Sequence, residues 1–160
     1  MTVRSGIGWD SHRLVAGRRL VLGGVEIPHD RGLLGHSDAD VLTHAVMDAL
    51  LGAAGLGDIG QHFPDTDGAY EDADSIELLR EVVRRAQAVG VRPTHADTTV
   101  LMERPKIGPH RDAIRASLAA ALGVDPAAVN VKASTGEGMG FVGREEGVAA
   151  LAIVTVAGPA

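Results

Sequence analysis

The chain has 160 residues, a net charge of −6, a hydrophobic content of 45% and an aromatic share of only 2%. That length supports one domain whose core must come from Ala, Val, Leu and Ile. Each buries modest surface, so further burial by self-association is expected. The acidic balance argues against nucleic acid as a partner, the lack of Cys removes disulfide and thiolate chemistry, and no apolar run reaches the roughly eighteen residues of a membrane span, so the chain reads as soluble and cytoplasmic.

Residues 2–12 are predicted to form a strand. "RRLVLGGVEI", 18–27, reads as a hairpin or a short strand broken at Gly23 and Gly24. A helix is expected from about Asp40, capped by Ser37 or Asp38 and with Gly55 beyond its end; it is apolar on most faces and therefore buried. Residues 57–74 read as a Gly/Asp/Pro loop, long enough to be functional and a candidate lid. Asp74-x-x-Glu77 resembles a capping box for a helix to about Val89, with Ile76, Leu79, Val83 and Ala86 on one face.

A strand follows at 91–102. Residues 105–123 read as a loop and a helix, with Pro109 near the start and Gly123 at the end. Residues 129–134 are a strand, and "GVAALAIVTVA", 147–157, is an apolar strand predicted to be buried on both faces. The alternation predicts an α/β or α+β domain over residues 1–160: one mixed sheet of the four-stranded type with helices on one face.

"GMGFVG", 138–143, matches G-x-G-x-x-G by letter. The dinucleotide fingerprint needs a helix to open within it and an acidic residue about twenty positions on. A strand is expected next instead, and the chain ends too soon. Its glycines are expected to let the loop pass close to a ligand or a neighbouring subunit.

The stretch "GIGWDSH", 6–12, raises a metal question. Residues two apart on a strand share a face, so Asp10 and His12 project together. A surface polar pair is the plain alternative. The buried helix carries Asp40, His44 and Asp48 at four-residue spacing, one polar stripe that must face water, a partner or a ligand. His44 is either a core histidine bonded to Asp48 or a ligand that meets Asp10 and His12. In the second case two His and one Asp make a zinc site with an open fourth position, with Asp40 or Asp48 orienting a ring nitrogen from behind.

Other groups suit anions. His36 and Ser37 precede a helix N-terminus. "KASTGEG", 132–138, offers Ser134, Thr135 and Glu137, the last suited to a hard cation such as Mg²⁺. Lys106 and Arg144 are phosphate contacts or plain surface charges.

Taken together, "GIGWDSH", "GLLGHSDADVLTHAVMDALLGAAGLGDIG", "FPDTD", "ADSIELLREV", "RPKI", "VNVKAST" and "GFVGREEG" resemble the 2-C-methyl-D-erythritol 2,4-cyclodiphosphate synthase family. The resemblance runs from about residue 3 to the C-terminus and is to the stand-alone form. It implies an isoprenoid-pathway enzyme that cyclises 4-diphosphocytidyl-2-C-methyl-D-erythritol 2-phosphate and releases CMP. It implies a homotrimer with active sites between subunits, zinc on Asp10, His12 and His44, and Mg²⁺ or Mn²⁺ on Glu137. His36 and Thr135 would position the reacting phosphates.

The same resemblance places Asp10, His12, Ser37, Asp58, Ile59, Gly60, Phe63, Pro64, Asp65, Thr66 and Asp67 at the methylerythritol and diphosphate. Met102, Lys106, Ile107, Gly108, Ser134, Thr135 and Gly136 would cradle the cytidine end. Phe141 and Arg144 would lie near the trimer axis, whose cavity the family associates with a prenyl diphosphate. Trp9 stands where Phe is common and Ser134 where Thr is frequent. Gly136 and Gly138 make the Glu137 loop more glycine-rich than in some members. Before the resemblance is counted, a zinc phosphohydrolase and a non-catalytic metal-binding trimer also fit these residues.

Overall fold

The structure is a computed structural model that describes residues 1–159. The strand expected at 2–12 runs on to Ala16 as β1 (Thr2–Ala16). One side of β1 presents Val3, Ile7 and Trp9, each more than half exposed. The other side presents Gly6 and Gly8 to helix α1 (Val41–Ala54). A Cβ at Gly6 would stand 2.1 Å from the Ala49 carbonyl oxygen, and one at Gly8 would stand 1.9 Å from that of Ala45. Helix backbone therefore lies directly on strand backbone, an approach that no residue with a side chain allows.

The remaining strands are β2 (Leu20–Leu22), β3 (Val25–Ile27), β4 (Arg31–Leu34), β5 (Arg92–Leu101), β6 (Val129–Ser134) and β7 (Gly147–Gly158). The helices after α1 are α2 (Ile59–His62), α3 (Ser75–Ala88), α4 (Arg111–Leu122) and α5 (Gly140–Gly143). The main sheet has five strands in the order β4-β1-β7-β5-β6, with only β5 and β6 parallel, and β2 and β3 form a separate hairpin. Helix α1 covers β1 and β7, α3 packs beside α1, and α4 packs against α3 and β6. Leu42, Val46, Leu50, Leu79, Ile114, Leu118 and Val154 fill the space between, all fully buried. No helix among the described residues is long and apolar enough to cross a membrane.

Several expectations need correction. The sheet has five strands rather than four because β4 pairs with the extension of β1, Leu33 opposite Leu14. A four-residue Arg-Gly-Leu-Leu edge strand has no alternation of its own, so only this pairing defines it. The α1 cap is Asp40, not Ser37 or Asp38. The supposed loop 57–74 contains α2 and a 3-10 turn at Gly68–Tyr70. Asp58 and Gln61 form a reciprocal capping box at α2. At α3, Asp74 does cap, accepting from the Ile76 amide at 2.9 Å, but Glu77 pairs with Arg80 instead of closing a box. Strand β7 is not buried throughout: Ile153 is 48% exposed, opposite Ile7 on the uncovered face. A single helical turn, α5, does form within the glycine-rich 138–143 stretch. There the glycines let the loop pack on itself, since a Cβ at Gly143 would lie 2.2 Å from the Gly138 carbonyl carbon.

Asp40 does more than cap. It is fully buried, and its carboxylate accepts from the amides of Gly23 (2.8 Å), Gly24 (2.7 Å) and Thr43 (3.0 Å) and from the Thr43 hydroxyl (2.7 Å). It ties the β2–β3 turn to α1. Burial pushes its carboxyl above the usual range against the pull of the Thr43 and Gly24 donors.

The glycine seam yields a paired prediction. Gly8→Ala should destabilise the fold by about 3 kcal/mol or more in urea unfolding, because backbone must move to admit the methyl group. Gly52→Ala, within α1 but with only a 3.8 Å contact to the Gly6 Cα, should be neutral or stabilising by up to about 1 kcal/mol.

Candidate active site

The close seating of α1 brings three side chains to one point. Asp10 and His12 follow Gly8 on the same face of β1, and His44 follows one turn after the Asp40 cap. The His12 Nε2 lies 2.8 Å from Asp10 Oδ2, the His44 Nδ1 lies 3.1 Å from the same oxygen, and the two ring nitrogens are 3.4 Å apart. His44 makes no bond to Asp48, so the core-histidine alternative is set aside in favour of a cluster.

The outer ring nitrogens settle the tautomers. His12 Nδ1 donates to the Leu34 carbonyl at 3.0 Å. Ser75 gives its hydroxyl proton to Asp38, so its oxygen accepts from His44 Nε2 at 2.9 Å. The Ser37 hydroxyl, 3.1 Å from the same nitrogen, accepts from the Ala39 amide. Each neutral ring therefore turns a lone pair on its inner nitrogen toward Asp10 Oδ2, and a ring that gains a proton gains it there and donates it to that oxygen. Three such atoms on an edge of about 3 Å match the roughly 3.3 Å spacing of ligands around a tetrahedral zinc-sized ion. A divalent metal fits this donor set, and these three residues form the one cluster of potential metal ligands among the described residues. Burial opposes ionisation of Asp10, but with the rings protonated their inner N–H groups and positive charge bring its carboxyl down to about 2. Burial also works against His44 carrying a proton, yet the bond to Asp10 and the negative charge of that carboxylate raise its pKa.

The orienting groups behind the histidines differ from those expected. Asp40 is occupied at the α1 cap, and Asp48 accepts from the Ile59 amide at 2.9 Å, fixing the start of α2. Burial raises the Asp48 carboxyl, partly offset by that amide. The orienting chain is Asp38–Ser75–His44. Nothing in sequence spacing marks it, because Ser75 arrives from the first turn of α3.

The cluster opens on a cavity of about 740 Å³. His36, Ser37, Asp58, Ile59, Gly60, Phe63, Pro64, Asp65 and Thr66 line it, as the resemblance implies, together with Trp9, Asp48 and Tyr70. Asp67 does not line it: its carboxylate caps the 3-10 turn, and its carbonyl accepts from His36 Nε2 at 3.3 Å. Phe63 is buried beneath the segment, edge-on to Tyr70 with centroids 5.2 Å apart and 4.9 Å from the Arg85 guanidinium.

Met102, Lys106, Ile107, Gly108, Ser134 and Thr135 line a separate cleft of about 330 Å³. Its lining shares no residue with the first cavity. Gly136 donates to the Glu103 carboxylate, and Glu137, at φ 53, is exposed and lines neither space. Phe141 borders a third hollow beside His12, and exposed Arg144 pairs with Glu146 at 3.0 Å. One chain therefore does not unite the residues expected to hold the two ends of one substrate.

A mixed sheet carrying a two-histidine, one-carboxylate centre at the seat of its first helix defines a metal-dependent enzyme class. The chain belongs to the YgbB family, which it matches over residues 3–157. It is 64% identical over 154 residues to the 2-C-methyl-D-erythritol 2,4-cyclodiphosphate synthase of Salinibacter ruber, covering 96% of this chain and 98% of that protein. It is 63% identical over 153 residues to that of Symbiobacterium thermophilum, covering 96% and 98% respectively. A solved structure of a 2C-methyl-D-erythritol-2,4-cyclodiphosphate synthase in its CDP-bound form superposes with a TM-score of 0.89 at 42% identity, over 96% of this chain and 100% of that one.

Removing the orienting hydroxyl should weaken the centre without deleting it. Ser75→Ala should lower metal affinity about 10- to 100-fold in a chelator competition. His12→Ala should abolish stoichiometric binding in the same assay.

Proposed function

We propose that this chain catalyses the cyclisation of 4-diphosphocytidyl-2-C-methyl-D-erythritol 2-phosphate in non-mevalonate isoprenoid synthesis. The full-length likeness to synthases of that activity supports the reaction. A 2-phosphate oxygen of the substrate attacks its own β-phosphorus. The new P–O bond closes the cyclic diphosphate as the bond from that phosphorus to the CMP oxygen breaks. Nucleophile and electrophile share one molecule, so the protein's task is to hold a productive fold of it; well-oriented intramolecular attack is worth on the order of 7–11 kcal/mol.

Asp10, His12 and His44 would hold zinc, which when bound supplies Lewis acidity to a phosphate oxygen. Glu137 would hold Mg²⁺ or Mn²⁺ on the phosphates. His36, oriented by the Asp67 carbonyl, and Thr135 would position the reacting groups. The stretch from Asp58 to Thr66 encloses the methylerythritol end and restricts water, whose attack would compete with ring closure.

The observation that carries the assembly is the separation of the two clefts. A substrate with a sugar-phosphate end and a cytidine end needs both, and a neighbouring copy supplies the second. The uncovered sheet face, with Val3, Ile7, Trp9 and Ile153 exposed, offers apolar surface for it. In this reading the enzyme is a cytoplasmic homotrimer with a prenyl diphosphate site on its axis beside Phe141 and Arg144.

Phosphorus NMR of the substrate with purified protein should show cyclic diphosphate and CMP in equal amounts. A ring-opened phosphate would overturn cyclisation in favour of hydrolysis, and an unchanged substrate would overturn the assignment. Ile7→Glu should give a smaller species in analytical ultracentrifugation and lose CMP release while each chain keeps its zinc.

A further inference from the structure

We infer that Arg18 is a positioning residue for the cyclisation, holding the stretch that carries His36 and Ser37 and linking it to the segment before α3. The inference rests on the proposed reaction. Arg18 sits in the turn between β1 and β2 and lines no part of the active-site cavity. Its side chain nevertheless reaches under the 33–37 stretch. The Nε donates to the Leu33 carbonyl at 3.0 Å, and Nη2 donates to the carbonyls of Gly35 (3.3 Å) and Ser37 (3.1 Å). The Nη1 faces the Asp72 carboxylate at 3.9 Å.

The stretch needs such a clasp. Residues 35–38 are bends outside any helix or strand, so no ladder satisfies the Gly35 and Ser37 carbonyls. Ala39 and Asp72 take left-handed φ values of 56° and 55°, which non-glycine residues keep only where their surroundings fix them. The Asp72 amide donates to the His36 carbonyl at 2.8 Å, and the Asp38 amide donates to the Ala73 carbonyl at 3.2 Å. Those bonds join the His36 stretch to the segment that ends at α3. The Arg18 fork fastens the same stretch to the β1–β2 turn and, through Asp72, touches both sides.

The consequence reaches the chemistry through His36 and Ser37. Ser37 stands behind the metal-facing ring of His44, and His36 lines the cavity. A planar guanidinium can serve several carbonyls at once, whereas a lysine ammonium can serve about one at that reach. Small displacements of positioning groups lower turnover steeply, up to about 100-fold for roughly 1 Å. The cytidine cleft around Lys106 and Ser134 contains no Arg18 contact, so nucleotide binding should not follow.

The test compares the parent protein, Arg18→Met and Arg18→Lys. Turnover is followed by CMP release, zinc per chain by metal analysis, and CMP affinity by calorimetry. Arg18→Met should lose about 10- to 100-fold in kcat, with zinc content and CMP affinity within about twofold of the parent. Arg18→Lys should fall between the two, and it carries the comparison if Arg18→Met does not fold. Turnover within about threefold of the parent in both variants would overturn the inference, as would equal losses of kcat, zinc and CMP affinity, which mark a purely structural role. A parent that releases no CMP would overturn the underlying reaction instead, so the two failures are separable.

Discussion

The active site depends on one close approach: the backbone of α1 rests on the backbone of β1 at Gly6 and Gly8. Asp10 and His12 are the next residues on that face of the strand, and His44 lies opposite them on the helix. A side chain in the seam would lift the helix, and the three ligand atoms would separate by more than any ion could bridge. Packing that usually serves stability here sets the spacing of the candidate ligand atoms directly. The apolar surface buried by α1, α3 and β7 holds the helix down, and the buried Asp40 carboxylate fixes its starting point against the β2–β3 turn.

Around that seat the polar groups are arranged in layers with separate tasks. The inner nitrogens of His12 and His44 are left as acceptors because Leu34 and Ser75 take the outer protons. Asp38 fixes Ser75, so a carboxylate two bonds removed sets the state of a ligand. Asp48 and Asp58 belong to the cavity wall, where they build α2. Phe63 anchors the wall from below against Tyr70 and Arg85, while residues 64–69 stay exposed above it. The wall is thus fastened from below while its crest faces solvent.

Much of this was legible in the sequence because it repeats with strand or helix spacing. Asp10 and His12 are two apart on a strand, and His44 interrupts an apolar helix, so a common site was a reasonable expectation. The buried face of α3, from Ile76 to Ala86, and the glycine ends of α1 and α4 were likewise visible. What escaped is tertiary. Strand β4 exists only through its pairing with the far end of β1. The stripe Asp40, His44 and Asp48 looked like one functional unit, yet its members went to a turn, the candidate metal cluster and a helix start. Ser75 reaches the site from a distant segment, and no local pattern announces it. The division of the expected substrate contacts between two clefts also lies beyond a single chain's sequence.

The most direct measurement is anomalous diffraction at the zinc edge from crystals of the zinc-loaded protein grown with CDP. The account requires one strong peak within coordinating distance of Asp10, His12 and His44, with no fourth protein ligand and the remaining position turned toward the cavity. A peak elsewhere, or a fourth side chain closing the coordination sphere, would contradict it.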